Sequence, residues 1–97
     1  MKYLINRCVE LMDQYECCVD RQIICITNDL SVWEQLIEIE IFQIAPDGEL
    51  ELIKDCNSGE YYLDIVNCVI YRYKDNRTKP LPQDIINILK HAKKWEY

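Results

Sequence analysis

Between Ile37 and Asp55 the chain alternates apolar and polar residues twice around a turn signal, and few chains with that pattern can avoid pairing with themselves. Ile37-Glu38-Ile39-Glu40-Ile41-Phe42-Gln43-Ile44 leads into Ala45-Pro46-Asp47-Gly48, and Glu49-Leu50-Glu51-Leu52-Ile53-Lys54-Asp55 follows. Pro, Asp and Gly in sequence supply turn chemistry. With a loop of two or four residues, antiparallel pairing puts Ile37, Ile39, Ile41, Leu50 and Leu52 on one side. Glu38, Glu40, Glu49, Glu51 and Asp55 then share the other side with Phe42, Ile44 and Ile53. A register change of two residues keeps every side chain on its face, so both loop lengths give the same sorting. Like charges on neighbouring strands cost stability, and a face of this kind invites a cationic partner.

Charge elsewhere in the 97 residues is arranged unevenly. The net charge is −6, yet residues 22–64 hold ten acids and one base, Lys54, whereas residues 65–97 hold seven bases and three acids. Such a chain folds into an electrically polarised molecule. Direct nucleic-acid binding through the acidic half is disfavoured, because neutralising phosphates supplies most of that affinity. The length fits one domain, residues 1–97, and two Gly and three Pro argue against long disorder. Met1–Arg7 lacks the apolar stretch of a secretory signal, and no apolar run approaches a membrane span. A cytoplasmic location with reduced thiols and no membrane partner is expected.

Six cysteines (Cys8, Cys17, Cys18, Cys25, Cys56, Cys68) read mainly as small apolar residues. Cys8 lines up with Leu4, Leu11 and Tyr15 at helical spacing, Cys25 sits inside Ile23-Ile24-Cys25-Ile26, and Cys68 adjoins Val69-Ile70. Three disulfides would suit a secreted chain of this size, and a thiolate metal site is the other alternative. No C-x-x-C pair exists, and adjacent Cys17-Cys18 chelates one tetrahedral ion poorly. No cofactor and no metal are expected.

Along the chain, residues 2–16 present Leu4, Ile5, Cys8, Leu11, Met12 and Tyr15 as the stripe of an amphipathic helix. Arg21–Thr27 reads as a first strand, Trp33–Ile44 as a second, and the arm after the turn as a third. Ser31-Val32-Trp33-Glu34 also fits a capping box, which would start a short helical turn before the second strand. Residues 60–74 favour strand by their Tyr, Ile and Val content. Their periodicity favours helix: Tyr62, Ile65, Val66, Val69, Ile70 and Tyr73 form a stripe, Asn57 is placed to cap it, and Glu60 answers from the third position. Helix is the preferred reading. Pro82 opens a last helix with Ile85, Ile86, Ile88, Leu89 and Ala92 apolar, and Lys90, His91, Lys93 and Lys94 crowd its C-terminal turns. The expected fold is α+β, a single small domain of order α-β-β-β-α-α, with a three-stranded antiparallel meander packed by helices.

Enzymatic chemistry finds little footing. Gly48 and Gly59 are the sole glycines, so phosphate-cradling loops are absent, and one histidine, His91, excludes two-histidine metalloprotease motifs. Paired carboxylates for hydrolysis would need one desolvated member, and the hairpin face reads as open to water. The same carboxylates match no calcium-loop spacing. In element order and acidity the chain resembles small phage-encoded CRISPR nuclease inhibitors (anti-CRISPR proteins), and in composition toxin-neutralising immunity proteins. The resemblance spans most of the chain as architecture, without a shared motif, and implies occupation of a basic partner's nucleic-acid site. The expected function is therefore a non-enzymatic inhibitor or immunity-type protein. It would bind a basic protein through Glu38, Glu40, Glu49, Glu51 and Asp55, with Phe42 and Ile53 as apolar anchors. The alternative is an accessory subunit or homodimer using an apolar or tyrosine surface.

Overall fold

Lys2–Met12 forms a strand of 11 residues (β1) where its periodicity predicts a helix. The physical reason is the company it keeps. Cys17–Thr27 (β2) is another strand of 11 residues and pairs antiparallel with β1 from Tyr3↔Thr27 to Met12↔Cys17. Ile39–Ile44 (β3) pairs antiparallel along the other edge of β1, from Lys2↔Ile44 to Arg7↔Ile39. Neighbouring apolar residues such as Leu4-Ile5 serve a strand with apolar contacts on both faces as well as they serve a helix stripe. Long-range pairing decides the contest against local propensity.

This computed structural model describes residues 1–12 and 17–91, and for residues 9–12 and 17–20 it describes the backbone alone. Tyr15 of the expected first helix, and Ala92, Lys93 and Lys94 of the last, lie outside the described residues. Leu50–Lys54 (β4) pairs with β3 and completes a four-stranded antiparallel sheet of order β2-β1-β3-β4. Tyr61–Asp64 (β5), Val69–Arg72 (β6) and Thr78–Pro80 (β7) form a second antiparallel sheet in chain order. One helix, α1 (Gln83–His91), follows. The described chain is mainly β, so the α+β arrangement α-β-β-β-α-α is corrected. The expected meander is corrected too, because β1 lies between β2 and β3.

Residues 60–74 are a hairpin and not a helix. Ile65-Val66-Asn67-Cys68 makes its turn, with Cys68 at φ +55° and its N–H donating to the Ile65 carbonyl at 3.3 Å. The Asp64 carboxylate accepts from the Asn67 backbone and side-chain amides at 3.1 and 2.8 Å, which holds that turn. Those bonds also lower the Asp64 pKa. Asn57 caps no helix; its N–H donates to the Asp55 carboxylate at 3.0 Å. The short helical turn before the hairpin does form, as a 3-10 turn over Trp33–Gln35. Its N-cap is Val32, without a side-chain cap, so the capping box does not operate.

The core lies between the inner face of the larger sheet (Ile5, Ile39, Ile41, with Ile24), the 3-10 turn (Trp33, Leu36), the smaller sheet (Ile70) and α1 (Ile85, Leu89). Trp33 is wholly buried, and its indole N–H has no hydrogen-bond partner among the described residues. Leu36 bridges in parallel to Tyr61, and the Ile37 N–H donates to the Tyr61 carbonyl at 2.8 Å, so the 3-10 segment seams the two sheets together.

Gly59 makes that seam possible. It has φ +143°, and a Cβ there would lie 2.8 Å from both the Ile37 nitrogen and the Leu36 carbonyl carbon. Gly48, at φ +88° in the β3–β4 turn, has nothing within 4 Å of such an atom. Gly59→Ala is therefore expected to cost about 2–4 kcal/mol. Gly48→Ala carries the left-handed backbone penalty alone, about 1–2 kcal/mol. Urea unfolding of the two variants should rank them in that order, and equal midpoints would contradict the close-approach account.

Candidate functional site

The β3–β4 connection has three loop residues, Pro46-Asp47-Gly48, closed by Ala45 and Glu49. The Ala45 N–H donates to the Glu49 carbonyl and the Gly48 N–H to the Ala45 carbonyl, both at 2.9 Å. Loops of two or four residues were expected. An odd count shifts the register by one and turns every side chain of the first part of β4 over. Leu50 thus opposes Ile44 and Leu52 opposes Phe42, while Glu51 opposes Gln43. A bulge then places Lys54 opposite Ile41 and leaves Ile53 as the extra residue.

The five carboxylates consequently share no face. Glu40 lies on the outer side with Phe42 and Ile44, but it is buried at 4 % exposure. Glu49 and Glu51 belong to the opposite parity and are exposed at the free edge of β4. Glu38, at φ +72°, interrupts the alternation before β3 and lies 3.7 Å from the Arg7 guanidinium. Asp55 is exposed just beyond β4, where its carboxylate holds the Asn57 turn. Ile53 is exposed at the bulge, and Phe42 is half-buried.

The outer face that results is apolar. Residues directly opposite on adjacent strands point the same way, so Ile26, Leu4, Phe42 and Leu52 form one row across all four strands. At the β-spacing of about 4.8 Å that row is roughly 14 Å wide. Lys2, Ile44 and Leu50 form the row on one side of it, and Ile23, Asn6 and Glu40 the row on the other. Ile23 is 68 % exposed, Ile26 59 %, Leu50 52 % and Leu52 50 %. Four large aliphatic side chains therefore stand in solvent on one sheet face. Periodicity missed Ile23, Ile26 and Leu4. The unbroken run Ile23-Ile24-Cys25-Ile26 carries the signal, since a strand apolar at consecutive positions is apolar on both faces.

One end of this face is closed by charge. The Glu40 carboxylate accepts from Arg21 Nε at 3.0 and 3.2 Å and from the Asn6 amide at 3.2 Å. The ion pair raises the Arg21 pKa. Lys54, the single base between residues 22 and 64, is turned inward, and its Nζ donates to the carbonyls of Ile39 at 2.6 Å and Asp55 at 3.0 Å. Burial lowers its pKa, with Asp55 opposing the shift. Arg7 is likewise lowered by burial against the pull of Glu38. The exposed edge beside the apolar rows keeps Asp47, Glu49, Glu51 and Asp55, with no outward-facing cation on β4.

Other surfaces are less developed. Tyr62 and Tyr71 stack across strands at 5.5 Å, and Tyr73 leans on Tyr62 at 5.7 Å. This is the ordinary geometry of a cross-strand aromatic cluster. A cavity of about 100 Å³ between α1 and the second sheet is lined by Ile65, Cys68, Leu81, Ile86, Leu89 and Lys90. Among the described residues no group of three or more His, Cys, Asp or Glu side chains is placed to hold a metal ion. Among them, too, no helix is long and apolar enough to cross a membrane. The chain matches no family model, no curated protein and no solved structure.

Glu40 and Glu51 separate the observed site from the expected one. Glu40→Lys puts a cation at a buried position facing the exposed Arg21 guanidinium and is expected to cost about 2–4 kcal/mol, most of it from burying the new charge. Glu51→Lys, at an exposed edge, should change stability by no more than about 0.5 kcal/mol. Denaturant unfolding of the single variants checks this, and equal stabilities would return Glu40 to the solvent.

Proposed function

We propose that this protein is a non-enzymatic protein-binding module that seats an apolar, cation-flanked protein surface on the outer face of its four-stranded sheet. The observation that carries the reading is the exposed apolar row and its neighbours: Ile23, Ile26, Leu50 and Leu52, beside half-buried Leu4, Phe42 and Ile44. An apolar centre within a polar rim is the anatomy of protein interfaces, and isolated surface aliphatics need no such alignment. The rim supplies the sign. Asp47, Glu49, Glu51 and Asp55 border the β4 side, and inward-turned Lys54 leaves their charge uncompensated there. A partner presenting Lys or Arg around apolar side chains is complementary to that arrangement and would be steered toward it.

Occupying such a surface keeps an anionic ligand of the partner away, which is the action of an inhibitor or immunity-type protein. That role is proposed from the surface; the element order on which the likeness to CRISPR nuclease inhibitors rested is not the observed one. The reading needs no nucleic acid, membrane or cofactor, and it sets the protein in the cytoplasm.

Selection of displayed random peptides on the immobilised protein tests the reading. Enriched peptides are expected to carry an apolar centre flanked by Lys or Arg. Their binding should weaken with salt and fall roughly tenfold or more in the Leu50→Ser/Leu52→Ser variant, which is about 1.4 kcal/mol or more. Peptides without basic flanks, or equal binding to the double variant, would overturn it. A micromolar dimer in sedimentation, lost in the same variant, would give the face to a second copy of the chain instead.

A further inference from the structure

Cys8 and Cys56 lie 48 positions apart in the sequence and side by side in the fold. The Cys8 N–H donates to the Glu38 carbonyl at 2.8 Å, and the Glu38 N–H donates to the Cys56 carbonyl at 2.8 Å. Glu38 adopts its left-handed conformation between them, so one residue fastens both cysteine backbones. Both thiols are free, and that of Cys56 is near enough to act on that of Cys8. The other described cysteines are placed differently. Cys25 opposes Ile5 on the inner side of the sheet, and the Cys68 thiol donates to the Ile65 carbonyl at 3.6 Å.

We infer that Cys8 and Cys56 form a redox-active dithiol, which closes to an intramolecular disulfide by exchange with a low-molecular-weight disulfide of the glutathione class. Cys56 is half-exposed in the turn after β4 and Cys8 is buried, so their roles differ. The Cys56 thiolate attacks one sulfur of the oxidant RSSR, forms a mixed disulfide and releases RS⁻. The Cys8 sulfur, giving up its proton, then attacks Cys56 Sγ and releases the second RS⁻. Two protein thiols lose two protons and two electrons, and RSSR becomes two RSH. Side chains whose backbones are both fastened to Glu38 need only rotate toward the S–S bonding distance of about 2.05 Å.

The surroundings suit this order of events. Burial, and then the hydrogen bond with Cys56, push the Cys8 thiol up to about 12, with Glu40 adding to the shift and Arg21 opposing it. A thiol held protonated and away from solvent is a poor first nucleophile and resists direct oxidation. Once Cys56 carries the mixed disulfide, Cys8 needs no encounter with a second molecule, because its target is already the adjacent atom. Arg21, and buried Lys54, whose charge is coupled to both sulfurs, stabilise the Cys8 thiolate as it forms.

The test equilibrates the full chain in glutathione buffers of increasing oxidised fraction, quenches with acid, and reads intact mass and digested peptides. One disulfide should form, seen as a loss of about 2 Da. Combined cleavage after Lys, Arg and Glu isolates Cys8 in residues 8–10 and Cys56 in residues 55–60, away from every other cysteine. These two peptides should be cross-linked. In denaturant the same buffers should give a mixture of pairings, since the preference comes from the fold. Cys8→Ser should stop at the Cys56–glutathione mixed disulfide, and Cys25→Ser should close as the unmodified chain does. If Cys8→Ser does not fold, the peptide map of the unmodified chain decides alone. A chain that stays reduced, links other cysteines, or accumulates the mixed disulfide without closing would overturn the inference.

Discussion

β1 is hydrogen-bonded along both edges, and everything else in the larger sheet takes its position from that. A strand of 11 residues with β2 on one side and β3 on the other has its backbone donors and acceptors satisfied over the stretch where all three overlap. The β1–β3 pairing joins residues more than 30 positions apart, so it carries a loop-closure cost that local hairpins do not. The arrangement of the seven strands among the described residues follows once that cost is met. β4 extends the sheet from β3, and the 3-10 segment carries the chain from β2 to β3 and brings Trp33 and Leu36 into one core with Ile5 and Ile41. The second sheet then docks through Leu36 and Tyr61 at Gly59.

The candidate site depends on a smaller constraint, the parity of one turn. Three loop residues between Ala45 and Glu49 direct Leu50 and Leu52 outward beside Ile44 and Phe42. A loop of two or four would have sent them into the core and gathered the carboxylates outside. The bulge at Ile53 then restores inward parity for Lys54, whose ammonium satisfies two carbonyls rather than an acidic neighbour on the surface. These two local events explain why the most acidic stretch of the chain presents an apolar face with acids at its edge. Glu40 shows the same logic in reverse. The hairpin pattern marks it as surface charge, yet Arg21 on β2 reaches it across β1 and takes it out of play.

The hairpin over residues 37–55, the turn at Pro46–Gly48, the short helical turn at Trp33 and the last helix were legible because each is specified within a few residues. α1 is marked by Pro82 and by the spacing of Ile85 and Leu89, and both of these are buried as that spacing requires. The first strand was not legible. Leu4, Ile5, Cys8, Leu11 and Met12 satisfy a helical period, and what overrides it is pairing with residues 17–27 and 39–44, which no local window contains. Residues 60–74 failed in a different way. Composition pointed to strand and period to helix, and the turn at Ile65–Cys68, in which Asn67 is the one ordinary turn former, needed a positive φ at Cys68 and the Asp64–Asn67 bonds to close. At the site, Phe42 lies in the outer row, whereas Ile53 falls at the bulge outside the rows. Ile23, Ile26 and Leu4 were not legible, because membership of a sheet face is a property of register across strands.

The paired cysteines and the apolar face meet at Glu38 and Glu40, and that proximity gives the surface a direction. Glu38 ties the backbones of Cys8 and Cys56, and two residues later Glu40 closes the polar end of the face with Arg21 and Asn6. A partner's apolar side chains can advance along the rows from Leu50 and Ile44 to Leu52, Phe42, Leu4 and Ile26. Beyond them lies a carboxylate whose hydrogen bonds are already satisfied from within the sheet. Displacing those bonds would strand a buried charge, at a cost of several kcal/mol, which no single apolar contact returns. The ion pair therefore acts as a stop. It bounds the footprint on that side, while the β4 edge, where the acids are exposed, leaves the other side open to a cationic flank.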